Sequence, residues 1–395
     1  MKLWPFALPI FPFSPMLGVL LVGVFSALGI VRTLDTLRAN PVIASIILSQ
    51  FVFHALCLLI TSVYDLPLYS PLVFAASNGG ALIIAIADRR NLEQRGRVVL
   101  IFLVFFLVAV TWDYATRYPF NGVAAFVRNF RYSLELSGRP VGPNVFSYTL
   151  VLTTVVVFNF TSYRIAFKRL VAAFCFLALL LISARLAIFI MMIFFTLLCE
   201  DRGTRRYWIP AALILGLLVL WSLPDLLSST RFMTLLEERD TSNSTRAAIY
   251  SDFLYQFDRP LFGSGQGSYF QNHGRSFHND FMEIIYSSGA VGFLLYYGAQ
   301  IATYLVIMRK GHVSNRKIMS LFLVQFGFSM TESLSISLSS YTGIAFSYLL
   351  YSSAVIRIQR EEALNEIAVS PQHRNTREIP HLGLRPVKHK ACDKA

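Results

Sequence analysis

Charge is scarce in this sequence. Charged side chains make up 14% of its 395 residues, where a soluble domain carries about a quarter. With 55% hydrophobic residues and a mean hydropathy of +0.55, that shortage excludes a water-soluble fold. Apolar runs of the roughly 20 residues needed to cross a bilayer recur along the chain. Cysteine is scarce too. Cys57, Cys175 and Cys199 lie in or beside apolar runs, Cys392 lies near the C-terminus, and no CxxC occurs, so neither a disulfide framework nor a zinc site is indicated. No Asp-x-Asp is present to hold a divalent metal, and the glycine-rich turn at Gly263–Gly267 has no following Gly-Lys-Ser/Thr, which excludes a Walker loop.

Basic residues are in excess, at a net +13, but their distribution argues against nucleic acid. They gather in short connections: Arg32–Arg38, Arg89–Arg97, Arg164–Arg169, Arg202–Arg206 and Arg309–Lys317. Longer mixed connections, Thr116–Pro143, Pro224–Ser288 and Thr331–Ser340, alternate with them. After Lys2, every lysine falls in a basic connection or the C-terminal tail. Lys and Arg in short loops mark the cytoplasmic side, so the mixed connections, including the large loop 224–288, face away from the cytoplasm.

The expected fold class is therefore an all-α integral membrane protein of about 11–12 transmembrane helices. The spans fall near 9–31, 41–63, 68–87, 98–115, 145–161, 170–183, 186–200, 208–223, 290–308, 318–332 and 341–357. Met1–Ile30 has no small-x-small cleavage site and reads as a retained first helix; the Pro-broken Leu3–Phe13 leaves a further N-terminal leg open. Residues 1–357 form the membrane domain, and 358–395, without apolar periodicity, read as a disordered cytoplasmic tail.

The stretch Leu170–Glu200 is too long for one span. Read as a hairpin, each leg has about 16 residues and rises about 24 Å at about 1.5 Å per residue. Arg185 then sits in the turn, slightly below the outer surface, and Arg202–Arg206 stay on the basic side. An arginine at that depth marks a functional site by default, although it can also snorkel to headgroups.

Polar chemistry is concentrated in the large loop. Asn243-Ser244-Thr245-Arg246 opens a helix with a stripe at Ile249, Tyr250, Phe253, Leu254 and Phe257. Leu261-Phe262-Gly263-Ser264-Gly265-Gln266-Gly267-Ser268 follows and reads by itself as an ordinary loop. His278-Asn279-Asp280 then opens a helix that runs to Gly289. The positive end of the helix dipole keeps an imidazole there neutral near pH 7, as a general base requires. His273, in a polar turn, is the weaker candidate. Arg246 can alternatively pair with Asp240 or Glu237.

Together these pieces resemble the O-antigen ligase and O-antigen or exopolysaccharide polymerase superfamily of bacterial membrane glycosyltransferases. The likeness is carried by Gly138-Arg139-Pro140-Val141-Gly142-Pro143-Asn144, Ser183-Ala184-Arg185, Arg246, the glycine-rich turn, and His278-Asn279 followed by Gly289 and Gly292. It spans residues 138–300, in the family's order.

That resemblance implies a helical, GT-C-like membrane glycosyltransferase in the bacterial inner membrane, with its site opening to the periplasm and no cofactor or metal. The implied donor is a polyprenyl-diphosphate-linked oligosaccharide, and the acceptor is a growing glycan or lipid A core. His278 would be the base, and Arg185 and Arg246 would neutralise the diphosphate, for which guanidinium forks are suited. Arg128, Arg131 and Arg139, beside Arg117, give the earlier outer loop a cationic character fit for an anionic glycan. A chain-length regulator and a flippase are implied companions. Polymerase leads over ligase because this family's ligases often carry a longer outer domain. A transporter is a distant third, since the polar residues sit in one asymmetric loop rather than at paired interrupted helices.

Overall fold

A computed structural model describes residues 14–88, 90–118, 134–136, 139–182, 184–204, 206, 208, 249, 253, 259–274, 277, 279–309, 315–329 and 343–356. They form a helical bundle of α1 (Pro15–Ala39), α2 (Pro41–Val63), α3 (Tyr69–Ala87), α4 (Leu92–Arg117), α5 (Pro143–Phe160), α6 (Ile165–Ile182) and α7 (Arg185–Ile193). A π turn, Phe194–Leu198, extends α7; then come the short α8 (Ser268–His273), α9 (Asp280–Arg309), α10 (Asn315–Ser329) and α11 (Gly343–Ile356). A hairpin of β1 (Glu135–Leu136) and β2 (Arg139–Pro140), with Glu135 opposite Pro140, is too small to alter an all-α architecture. Helices α2, α4, α5 and α9 are long and apolar enough to cross a membrane. The chain is a multi-pass, all-α membrane protein. The expected span 208–223 and most of the large loop lie outside the described residues.

The helices sit on the expected spans, with instructive shifts. α2 coincides with 41–63. α1 runs on through Arg32–Arg38, which was expected to be a connection. Arginines do not break a helix; Pro41 does, by forcing Asn40 into extended backbone, φ −137°. α4 starts at Leu92 rather than 98, because Asn91 and Gln94 form a reciprocal capping box at 2.9 and 3.3 Å.

The expected hairpin over Leu170–Glu200 is present. Arg169 and Asp201 form an ion pair at 3.6 Å, whereas thirty-two residues of straight helix would part them by about 48 Å. Phe176 and Phe195 both pack on Trp208, the latter ring stacked at 4.5 Å. α5 is the centre of the bundle. Every residue from Val145 to Phe160 is buried, against α4, α6, α7 and α10.

At the end of the bundle that carries the basic connections, cations cap helix C-termini. Arg95, 1% exposed, donates to the carbonyls of Ala85 at 2.7 Å, Arg90 at 2.8 Å and Asp88. Tyr348 of α11 donates to the Asp88 carboxylate at 2.7 Å. Lys168 donates to the carbonyls of Phe158 at 2.9 Å and Thr161 at 2.6 Å, and so terminates α5. Lys317 pairs with Glu200 at 3.4 Å.

α9 departs most from expectation. Gly289 interrupts it with φ +66°, ψ −170°. Phe281 and Tyr297 pack with ring centroids 4.7 Å apart, while sixteen residues of straight helix would separate them by about 24 Å. The leg 280–288 therefore folds back alongside the leg 290–309. The helix expected to begin in the loop at residue 278 re-enters the bundle instead.

Candidate active site

The glycine-rich turn holds the fold-back in place. A break in a membrane helix frees backbone groups that must find partners. Here residues 260–265 supply them. Ser264 N–H donates to Tyr286 O at 2.8 Å and Gly265 N–H to Ser287 O at 2.9 Å. In return, Ala290 N–H donates to Pro260 O at 2.8 Å and Val291 N–H to Leu261 O at 3.2 Å. The two segments approach so closely that a Cβ on Gly263 would lie 2.6 Å from Gly289 N, and one on Gly289 would lie 2.2 Å from Leu261 O. Both glycines also have positive φ, which side chains rarely tolerate. The turn docks onto the end of α2 as well. Gln266 N–H donates to the Thr61 hydroxyl at 3.1 Å, and the Arg259 guanidinium lies 4.2 Å from the Tyr64 ring centroid.

An aromatic cluster anchors the chain just before the re-entrant leg. Phe277, 1% exposed, stacks on Tyr269 at 3.8 Å and packs against Tyr286 at 5.2 Å and Phe253 at 5.6 Å. Ile249 and Phe253, two members of the stripe read in the sequence, belong to this cluster. Asn279 then caps the leg, its side-chain oxygen accepting the Met282 N–H at 3.2 Å.

The leg delivers Asp280 into the bundle. Asp280 is fully buried, and Ser329 of α10 donates to its carboxylate at 3.1 Å. It lines a small cavity of about 30 Å³ with Ser77, Asn78, Tyr148, Tyr296, Gln300 and Gln325, space for a water or two by the usual minimum of about 10–15 Å³. Amide groups continue from it. Asn78 donates to Gln50 at 3.4 Å and lies 3.3 Å from His54 Nε2. Gln325 donates to Gln300 and accepts from the Tyr304 hydroxyl at 2.9 Å.

Of the residues singled out in the sequence, His278, Arg246, Arg128 and Arg131 lie outside the described residues. The described neighbours of His278 are the anchored Phe277 and the cap Asn279. Arg139 is in β2, and Arg185 is the first residue of α7. α7 crosses α10 where Ile190 would meet a Cβ on Gly327 at 2.5 Å. Arg185, five residues before Ile190, opens α7 about 7.5 Å farther toward the glycine-turn end, the same end at which Ser329 holds Asp280. His273 closes α8, with its ring 4.4 Å from that of Tyr269. No group of three or more His, Cys, Asp or Glu suited to a metal occurs among the described residues.

Residues 149–297 match the family model described as O-antigen ligase. The superfamily expected from the sequence is thereby supported. The matched segment runs from α5 through the α6–α7 hairpin and the glycine clamp to Tyr297 in the second leg of α9. The match supports a membrane enzyme of the O-antigen ligase or polymerase type. No curated protein matches the chain. The cavity at Asp280 is completed by residues on both sides of the matched segment, Asn78 of α3 and Gln300, Gln325 and Ser329 beyond it.

Sequence reasoning missed two things here. The glycine turn read as an ordinary loop, because its partner is the backbone of residues 286–291, which leaves no side-chain pattern. Asp280 read only as part of a helix start. Gly289 within an apolar run was the available signal for the fold-back.

Proposed function

We propose that the protein is a membrane glycosyltransferase that polymerises O-antigen or exopolysaccharide repeat units from a polyprenyl-diphosphate-linked donor at the periplasmic face of the inner membrane. The observation that carries this reading is the O-antigen ligase match over 149–297, which takes in Arg185, Arg246 and His278 in the order the sequence motifs require. The concentration of lysine and arginine at one end of the bundle supports placing that end in the cytoplasm.

In this reading His278 accepts the proton of the acceptor hydroxyl as its oxygen bonds to the donor's anomeric carbon. The bond from that carbon to the diphosphate breaks, and Arg185 and Arg246 balance the charge that develops on the leaving group. Loss of one such stabiliser costs about 3–4 kcal/mol of barrier, a few hundredfold in rate. The cationic Arg128, Arg131 and Arg139 hold the growing chain, and the large loop 224–288, shorter than the outer domain of many ligases, favours polymerase. The bound partners are the lipid-linked oligosaccharide, the acceptor glycan and the bilayer, with a chain-length regulator and a flippase as companions.

The second reading, transfer of finished glycan to lipid A core, is favoured by the description of the matched family itself. Purified protein in vesicles, given lipid-linked repeat units alone, separates the two. A ladder on the polyprenyl carrier supports polymerase; no ladder until lipid A core is added supports ligase.

A further inference from the structure

The glycine turn has a buried half and an exposed half. Gly263, Gly265 and Gln266 are buried against α9 and the end of α2, whereas Leu261 and Phe262 are 61% and 56% exposed. Large apolar side chains exposed beside further apolar surface mark a contact with protein or membrane. Their surroundings decide between the two. On α2, Leu59 and Val63 are 62% and 66% exposed, and on the returning leg of α9 Leu294 is 69% exposed. Both helices are long and apolar enough to cross the membrane, so side chains turned out from the bundle face lipid. The turn is fastened to both. Gln266 N–H donates to the Thr61 hydroxyl of α2 at 3.1 Å, and Leu261 O accepts Val291 N–H of α9 at 3.2 Å. Leu261 and Phe262 therefore extend an apolar surface that lipid covers on the two helices.

Their depth follows from the length of the returning leg. Residues 290–309 rise about 30 Å at about 1.5 Å per residue, the thickness of a hydrocarbon core of about 30 Å. With Arg309 at the basic end, the reversal at Gly289 comes level with the opposite edge of that core. Leu261 and Phe262 lie on the reversal itself, since a Cβ on Gly289 would be 2.2 Å from Leu261 O and 2.4 Å from Phe262 N. Any tilt of the leg only lowers them toward the core. Tyr64 and Tyr69, exposed at the connection from α2 to α3, are aromatic residues of the kind enriched at that level. We propose that Leu261 and Phe262 are seated in the bilayer leaflet opposite the basic connections, in contact with the glycerol and upper acyl region of its phospholipids. The glycine turn is then a lip between α2 and α9, held on its inner side by main-chain hydrogen bonds and on its outer side by lipid. This seating holds whatever reaction the protein performs, because it needs only that α2 and α9 span the bilayer.

The test places a nitrobenzoxadiazole label on Leu261→Cys or Phe262→Cys in the full chain, in phospholipid vesicles. Cys392→Ser accompanies each, and Cys57, Cys175 and Cys199 are buried. Leu294→Cys is the bilayer reference, and the free dye–cysteine adduct in buffer is the water reference. Emission at 261 and 262 should shift to the blue of the free adduct. It should be lost to phospholipid carrying a spin label near the headgroup, less so to one labelled near the chain end, and not to aqueous iodide. Iodide quenching as strong as that of the free adduct puts the residues in water and overturns the proposal. Quenching by neither lipid nor iodide means that another stretch of this chain, or a second copy, covers them, and overturns it as well. Loss greatest with the chain-end label overturns the placement at the boundary. The unmodified chain gives a second reading that needs no variant to accumulate. A phospholipid with a photoreactive group at the top of its acyl chain should cross-link to residues 260–270, and cross-links confined to the helix faces would overturn the seating.

Discussion

Substitution of Gly289 by alanine tests whether the fold-back of α9 is held by backbone-to-backbone contact. The backbone at φ +66°, ψ −170° is in a region essentially reserved for glycine, and forcing alanine into it costs about 1–3 kcal/mol. The new Cβ would also lie 2.2 Å from Leu261 O and 2.4 Å from Phe262 N, so the two segments must separate. Separation puts at risk the hydrogen bonds from Ser264, Gly265, Ala290 and Val291, each with a net worth of about 1 kcal/mol. The total, about 5–7 kcal/mol, is comparable to the lower part of the whole stability of a typical domain, about 5–15 kcal/mol. Gly298, in the returning leg of the same helix, is the control: a Cβ there meets nothing within 4 Å, and alanine should be neutral or stabilise by up to about 1 kcal/mol. Thermal unfolding of the purified variants in detergent should therefore show Gly289→Ala strongly destabilised and Gly298→Ala unchanged or improved. Equal midpoints for the two variants would refute the clamp.

Three further outcomes are expected. Arg95→Met leaves the carbonyls at the end of α3 without their donor and should cost about 3–5 kcal/mol, the range for removing a buried charged partner, as read by denaturant or thermal unfolding; an unchanged midpoint would contradict the capping role. Burial pushes the Asp201 carboxyl up, but the Thr204 hydroxyl and N–H, the latter at 2.6 Å, and the Arg169 guanidinium outweigh it and hold it below the ordinary carboxylate range. The depressed value means that this stabilisation is present above the ordinary carboxylate pKa and disappears as pH falls through the lowered one. Asp201→Asn should consequently destabilise by under about 1 kcal/mol at neutral pH and by nothing in strong acid, and a deficit that persists in acid would sink the assignment. Arg185→Ala and Arg246→Ala should each lower transfer a few hundredfold, about 3–4 kcal/mol, with normal insertion; activity within a few-fold of wild type would remove that arginine from the diphosphate site.

The parts of this fold that were legible in the sequence are those governed by hydropathy and charge. α2 ends where the apolar run ends. The α6–α7 hairpin followed from length arithmetic and from keeping Arg202–Arg206 on the basic side. The extension of α1 through Arg32–Arg38 was not legible from charge, because a basic segment signals sidedness without ending a helix; the Asn40-Pro41 pair was the relevant stop. The reversal at Gly289 escaped because hydropathy averages over a window and cannot register one residue with positive φ. The re-entrant placement of Asp280 escaped with it. The motifs proposed for the site stand out because their chemistry is local, whereas the clamp between residues 260–265 and 286–291 is made of main-chain groups common to every sequence.

The most direct test of the central claim is the surface glycan of a strain lacking this gene, complemented with wild type or with His278→Ala and resolved on gels and by lipid analysis. The expected result is single repeat units or no polymer in the deletion, a ladder restored by wild type, and none restored by His278→Ala despite normal insertion. A full ladder in the deletion strain, or one restored by His278→Ala, would contradict it.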